Sequence, residues 1–452
     1  MSMPTHAVAT LLARGAAPDF DAWRRNVLGL NGCTNPVHLV GSALLVDPST
    51  GEALRSYDSG LYGGRLLVAC GNRRASVCPT CARTYRADTF HLIRAGLVGG
   101  KSAPASVAAH PRVFVTLTAP GFGRVHTRRE REGRVWVCRP RRAGGERCPH
   151  ELPVGCRERH CADDPRLGEP LCPHCYDYAG AVLWQANAAR LWHRFVLELR
   201  REIARHAGVD RTRLAESARL SYAKVAEYQR RGLIHFHAVI RLDGPDGPDS
   251  APPRWATTEL LAGAVSASVG RARLIAPGTA VVGRRALLFG AQVDVRPIAE
   301  FGTGQLTSGA VAGYIAKYAT KGAEVAGAVD VRIQHARQLV LLPVRRHVLR
   351  MVGTCWWLGA LPDFEPLGLR RWAHMLGYGG HFSTKSRRYS TTLTALRQAR
   401  AEHRADEQRA ARGLAERPLV TVGHWRYAGR GYSPEAALLA ASVRERGASH
   451  DA

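Results

Sequence analysis

The sequence predicts an α+β fold built around an antiparallel sheet, and three observations carry that prediction. RVFVTLTAP, Arg112 to Pro120, is a β-branched and apolar run closed by Pro and Gly, which reads as a central strand. LSYAKVAEYQRRGLIHFHAVIRLDG reads as a hairpin, with strands Leu220 to Tyr228 and Leu233 to Leu242 about a turn at Gln229 to Gly232. Between them, Tyr178 to Arg205 sets Leu183, Ala186, Leu191, Phe195, Val196 and Leu199 on one helical face suited to packing on a sheet.

The other elements follow in chain order. Phe20 to Leu30 and Tyr85 to Leu97 have helical spacing, and the knuckle CPTC lies just before the second. From Arg124 to Asp177 the composition turns to Arg, Cys, His and Pro with little periodic apolar pattern, as in an insertion held by metal instead of a core. A helix near Thr257 to Ala272, a strand at Ala291 to Arg296 and a helix from about Gly309 to Lys321 complete the central unit. Beyond it lie helical stretches at Thr392 to Leu414 and Pro434 to Arg446, and the basic run Ser383 to Ser390. The expected organisation is an N-terminal segment over 1–110, a central domain over 111–323 interrupted by an insertion over 124–177, and a basic, mainly helical region over 324–452. There is no internal repeat.

Composition narrows the partner. The chain carries 64 Lys plus Arg against 37 Asp plus Glu, a formal net charge of +27, which favours a polyanion and makes nucleic acid the default. The bland reading is Arg-rich genome composition, since Lys occurs only at 101, 224, 317, 321 and 385. No apolar run reaches the roughly 18 residues of a membrane span, and the N-terminus lacks a secretory pattern, so a bacterial cytoplasmic location is expected with no membrane partner. In that reducing compartment 11 Cys, an odd number, point to metal ligands and free thiols.

His235 and His237 flank Phe236 in the second hairpin strand, so both imidazoles project to one side. With 19 His among 452 residues, roughly one His-x-His arises by chance, so context decides. The hairpin supplies it: Glu227, on the partner strand, can pair beside the imidazoles. Two imidazoles and a carboxylate form a mixed nitrogen and oxygen site with open positions, suited to Mn²⁺ or Mg²⁺ that also holds a phosphate oxygen. The structural alternative is a His pair capping a sheet edge and a solvated Glu.

YIAKYATK sets Tyr314 and Tyr318 on one helical face, with Lys317 one turn beyond the first and Lys321 near the second. A phenol with a pKa near 10 is a poor nucleophile at neutral pH, and a neighbouring ammonium favours phenolate and offsets charge developing on phosphate. Two of only five Lys fall in this octapeptide, which suggests that a compact ammonium is required there. The alternative is a helix whose Tyr pack and whose Lys are solvated.

Two cysteine clusters suit structural Zn²⁺. The first is Cys33, Cys70, Cys78 and Cys81, with His91 as a substitute ligand. For the second the preferred set is Cys156, His160, Cys172 and Cys175, with Cys138, Cys148 and their neighbours offering a further ion. Such sites would stiffen a loop region without a core and present Arg128, Arg129, Arg139, Arg141 and Arg142 to DNA phosphates.

VFVTLTAP, GLIHFHAVI and YIAKYATK, in this order, resemble the three motifs of HUH replication initiators of rolling-circle plasmids, phages and transposons. The paired tyrosines look like the two-tyrosine subclass. Over nearly the whole chain GNRRASVCPTC, FVTLTAPGFGRVH, LGEPLCPHCYDY, KVAEYQRRGLIHFH and GGHFSTKSRRYSTT look like the replication initiators of actinobacterial plasmids and integrative elements. The resemblance implies an HUH endonuclease fold, that is, a ferredoxin-like antiparallel sheet with helices and the His pair on a central strand. It also implies a divalent metal and nicking of a double-strand origin at a single-stranded region by Tyr318, with a 5′-phosphotyrosine and a free 3′-OH. Tyr314 stands where some single-tyrosine relatives carry Glu. No phosphate-binding loop of a helicase is present, so a host helicase and polymerase are the implied further partners. The rival readings are a transposase or relaxase on the same core and a non-enzymatic, zinc-stabilised DNA-binding regulator.

Overall fold

The computed structural model describes residues 5–448 apart from 61–63, 141–145, 300–305, 330, 412 and 414–418. The chain forms two compact units, one comprising Thr89–Thr391 and the other Met1–Asp88 together with Thr392–Ala452. Compactness therefore divides the chain differently from the expected 1–110, 111–323 and 324–452. Among the described residues no helix is long and apolar enough to cross a membrane.

The larger unit is mixed α and β around a five-stranded sheet of β1 (Arg112–Leu117), β2 (Arg219–Tyr228), β3 (Ile234–Asp243), β4 (Val293–Pro297) and β5 (Ser383–Lys385). The strand order is β4-β1-β3-β2-β5, and every neighbouring pair is antiparallel. Strand alternation gives the sheet two chemically different faces. Val113, Val115, Leu117, Ile234, Phe236, Ala238 and Ile240 enter the main core. Helices α1 (Tyr178–Ala207) and α2 (Thr258–Arg271) bring Leu183, Trp184, Leu191, Phe195, Leu261 and Val265 to the same core. Asp177 caps α1 by accepting from the Gly180 backbone N–H at 2.8 Å, and Gly208 ends it in the left-handed conformation at φ +66°.

The hairpin register is held from the core side. Buried Gln185 of α1 donates to the Gly232 carbonyl at 3.1 Å and accepts from the Ile234 N–H at 3.1 Å, so the turn cannot slip without orphaning a buried amide. On the opposite face, Arg112, Phe114, Thr116, Glu227, His235, His237 and Arg241 share one side, and α3 (Ser308–Ala319) packs against β2. Farther along this face, fully buried Arg241 meets Asp243 at 2.5 and 3.0 Å, while His110 and Ser221 bond the same carboxylate at 2.8 and 2.6 Å. A buried ion pair with its remaining valences filled in this way is held in register.

Two parts of the region expected to be a helical appendage belong instead to this unit. Helix α4 (Arg346–Leu358) adds Val348, Met351, Val352, Cys355 and Leu358 to the main core, and β5, from the basic run, forms the sheet edge by pairing with Ala223 to Val225. The remaining tail completes the smaller unit. There Val37–Val46 pairs along its whole length with Val420–Arg430, and on its other side with Ala53–Asp58 and Leu66–Val68. Gly41 is needed in this sheet: at φ +149° a Cβ would lie 1.9 Å from the His424 carbonyl oxygen. The expected helix over Tyr85 to Leu97 runs as Pro79–Val98, beginning immediately after Cys78, where Pro is preorganised for a first helical turn.

Candidate active site and metal-binding clusters

Hairpin pairing sets Glu227 directly opposite His235 and Val225 opposite His237, while β1 sets Thr116 opposite His237. Three side-chain atoms converge there. The Glu227 Oε2 lies 2.8 Å from His235 Nε2 and 2.9 Å from His237 Nε2, and the two imidazole nitrogens are 3.1 Å apart. Lone pairs aimed at one point from two imidazoles and a carboxylate could hold a divalent cation, and the mixed donor set with open positions fits Mn²⁺ or Mg²⁺. Burial opposes the Glu227 charge, but bonding to both imidazoles outweighs it and holds this carboxyl down to about 2. His237 is shifted below its ordinary value, mainly by burial. Both groups are thus in ligand form near neutrality.

Thr116 and Phe114, to which the sequence reading gave no role, fix His237. The Thr116 Oγ1 is 3.1 Å from His237 Nδ1, leaving Nε2 for the site, and Phe114 stacks on the imidazole at 5.8 Å with planes 6° apart. Alternation in VFVTL was the available signal, because it sets Phe114 and Thr116 on one strand face. On the next strand Asp294, opposite Thr116, pairs with Arg296 at 2.9 Å.

Helix α3 starts at a Thr307 cap that accepts from the Ala310 N–H at 3.2 Å, and it buries Val311, Ala312, Ile315, Ala316 and Ala319. The tyrosines lie on its other side, against the imidazoles. Tyr314 Oη is 3.5 Å from His237 Nε2, Tyr318 stacks on the same ring at 5.5 Å, and the two phenol rings are 4.7 Å apart. Both Lys approach Tyr318, with Lys321 Nζ 4.6 Å and Lys317 Nζ 5.7 Å from its ring. The helix ends at Ala319, so Lys321 reaches Tyr318 from the following turn. Burial raises both phenols above their ordinary value. Burial is the main cause for both, and the nearby Glu227 carboxylate adds to it.

Cys33, Cys70, Cys78 and Cys81 come together as expected, in the small core with Val27, Leu30 and Leu67, whereas His91 is not among their ligand atoms. The preferred second set does not form. Cys156 and His160 gather with His126 and Cys138, and Cys172 and Cys175 gather with Cys148 and His150, so Cys138 and Cys148 fall in different sets. The cause is local backbone pairing: Arg139 and Cys156 exchange backbone bonds at 2.9 Å, which draws Cys156 towards Cys138. Near these sets Arg128 pairs with Glu130 at 2.7 Å and Arg139 donates to the Val125 carbonyl at 3.3 Å. Arg129 is on the exposed hairpin strand Arg129–Arg131, and Arg141 and Arg142 lie outside the described residues.

A cleft of about 860 Å³ opens at the end of the sheet, lined by Thr118, Arg128, Arg139, Gln229 and Arg230 among others. Thr118 is two residues beyond Thr116 along the chain. No solved structure matches this chain. The family model described as "Replication initiator protein, pSAM2" matches residues 19–445. A replication initiator protein of Streptomyces ambofaciens is 48 % identical over 442 residues, covering 96 % of this chain and 92 % of that one. With a family match across nearly its whole length and so similar a relative, the chain belongs to this replication initiator family.

Proposed function

We propose that this replication initiator is an HUH-type nuclease that binds origin DNA and opens one strand by tyrosine transesterification, starting rolling-circle synthesis. The observation that carries the reading is the convergence of Glu227, His235 and His237 on one point directly beneath Tyr314 and Tyr318. A divalent ion there, Mn²⁺ or Mg²⁺, would supply Lewis-acid polarisation of a phosphate oxygen and offset the Glu227 charge that raises both phenols.

The Tyr318 oxygen attacks phosphorus as its proton leaves to solvent. A P–O bond forms to Tyr318, the P–O3′ bond breaks, and the departing 3′-oxygen takes up a proton to become the 3′-OH primer end. Lys317 and Lys321 offset charge that develops near the Tyr318 ring. Once Tyr318 carries the 5′-phosphate, Tyr314 is the second nucleophile within reach of the same site. The formal charge of +27 and the Arg-bearing cleft beside the sheet end favour DNA as the ligand. A host helicase and polymerase would extend the nick.

The test is incubation of the full chain with labelled single-stranded origin DNA and Mn²⁺, followed by denaturing electrophoresis and peptide mapping. An adduct on Tyr318, absent with EDTA, with His235→Ala and with Tyr318→Phe, is the expected result. Binding without an adduct would favour the regulator reading.

A further inference from the structure

We propose that the insertion is a two-zinc module with alternating ligand pairs, in which His126 and His150 are ligands and three Zn²⁺ are held per chain. Three quartets of Cys and His atoms, each lying within 4.8 Å of one another, take up every cysteine except Cys161 and Cys355. In chain order the insertion's ligands run His126 and Cys138, then Cys148 and His150, then Cys156 and His160, then Cys172 and Cys175. The first and third pairs make one site, and the second and fourth make the other.

Each quartet has the contacts of a closed structural site. In the first, His126 Nδ1 is 3.1 Å and Cys156 Sγ 3.5 Å from His160 Nε2, and the Thr127 backbone N–H donates to Cys138 Sγ at 3.2 Å. The other nitrogen of His160 is bonded to Asp164 at 2.7 Å, and Asp164 is in turn bonded by Arg166. A carboxylate behind a ligating imidazole orients the ring and raises its basicity. The carboxylate is therefore a positioning group, not a fifth ligand. In the second, His150 Nδ1 lies 3.3 Å from Cys175 Sγ and 3.7 Å from Cys172 Sγ, and the Cys175 N–H donates to Cys172 Sγ at 3.4 Å. Two-sulfur, two-nitrogen and three-sulfur, one-nitrogen sets with no open position are those of structural Zn²⁺.

Alternation gives the module its rigidity. Each ion closes a loop that contains a ligand pair of the other, so the segment from His126 to Cys175 is cross-linked twice although it lacks a periodic apolar core. His126, Arg128 and Arg139 of the module form one side of the cleft at the sheet end, with Gln229 and Arg230 also lining it. The ions thereby shape a wall of that cleft without taking part in chemistry.

The test uses full-length protein loaded with cadmium-113 and ligand swaps that keep four donors, so that folding is preserved. Three resonances in the sulfur-ligated range and three zinc ions per chain by metal analysis are expected. His126→Cys should shift one resonance to the three-sulfur position, and His150→Cys should shift a different one to the four-sulfur position. Cys156→Ser should deplete the resonance that His126→Cys moves, and Cys172→Ser the one that His150→Cys moves. Depletion of the same resonance by Cys156→Ser and Cys172→Ser, or no shift with either histidine swap, would overturn the proposal.

Discussion

Replacing Lys224 by Met is expected to stabilise the larger unit at neutral pH. Lys224 lies on the core face of β2 with only 5 % of its surface exposed, its Nζ 4.5 Å from the Phe236 ring and 5.7 Å from Trp192. Burial lowers its pKa from 10.5 to about 8. At about 1.36 kcal/mol per unit, the shift corresponds to roughly 3 kcal/mol for keeping the ammonium charged inside. Attraction to the two rings offsets up to about 2 kcal/mol of that cost, and Met of similar length forfeits it. The net gain for Lys224→Met at pH 7 is therefore roughly 1–3 kcal/mol.

The sign with pH follows from linkage. Between about 8 and 10.5 the unfolded chain binds the proton that the folded chain has released, so wild-type stability from this group rises with pH through that window. The advantage of Met is full below pH 8 and fades as pH approaches 10.5. Parallel urea unfolding of both proteins at pH 7, 9 and 10.5 measures the difference, in which other titrating groups cancel. A difference that stays constant or grows with pH would refute the reasoning.

Three further outcomes follow from the site and its support. Thr116→Ala removes the partner of His237 Nδ1 and should raise the Mn²⁺ concentration for half-maximal adduct formation about 10–100-fold; an unchanged requirement would show that Phe114 alone orients the ring. Arg241→Leu leaves buried Asp243 without its guanidinium and should destabilise the unit by about 3–5 kcal/mol in urea unfolding, whereas a loss under about 1 kcal/mol would mean that His110 and Ser221 suffice. Mn²⁺ affinity, followed by electron paramagnetic resonance, should hold steady through neutrality and weaken only in acid. Glu227 is held at about 2 and His237 is lowered by burial, so protons compete only in acid; weakening that begins above pH 7 would contradict this ligand set.

The hairpin and its triad were legible because the information is local. A short turn sets the register of Leu220 to Leu242, and period-two alternation then fixes which side chains meet, so the sequence alone brings Glu227 beside the imidazoles. The central strand and α3 were legible for similar reasons. The ligand sets of the insertion were not. Cys156-x-x-x-His160 and the Cys172–Cys175 knuckle are neighbours in sequence, but the Arg139 to Cys156 bridge turns the first pair towards Cys138, and nothing in spacing encodes that bridge. Nor was the smaller unit's sheet legible. Val37–Val46 alternates only over Gly41 to Leu45 and buries no side chain fully, and its partner Val420–Arg430 is mostly exposed, so neither shows the in-out pattern of a strand packed on a core.

That last pairing has a consequence for how the protein is made. Val37–Val46 leaves the ribosome long before Val420–Arg430, the strand that covers one of its edges. At about 5–20 residues per second the wait is roughly 20–75 s, during which that edge of an apolar strand stays open to any other chain. The larger unit, Thr89–Thr391, is translated in full before that strand. A message cut short after Thr391 would therefore still encode the whole Glu227, His235, His237 and Tyr318 site, yet release it on a chain with a sticky edge. Selection against such truncation then falls on aggregation, while the residues of that site would be indifferent to the loss.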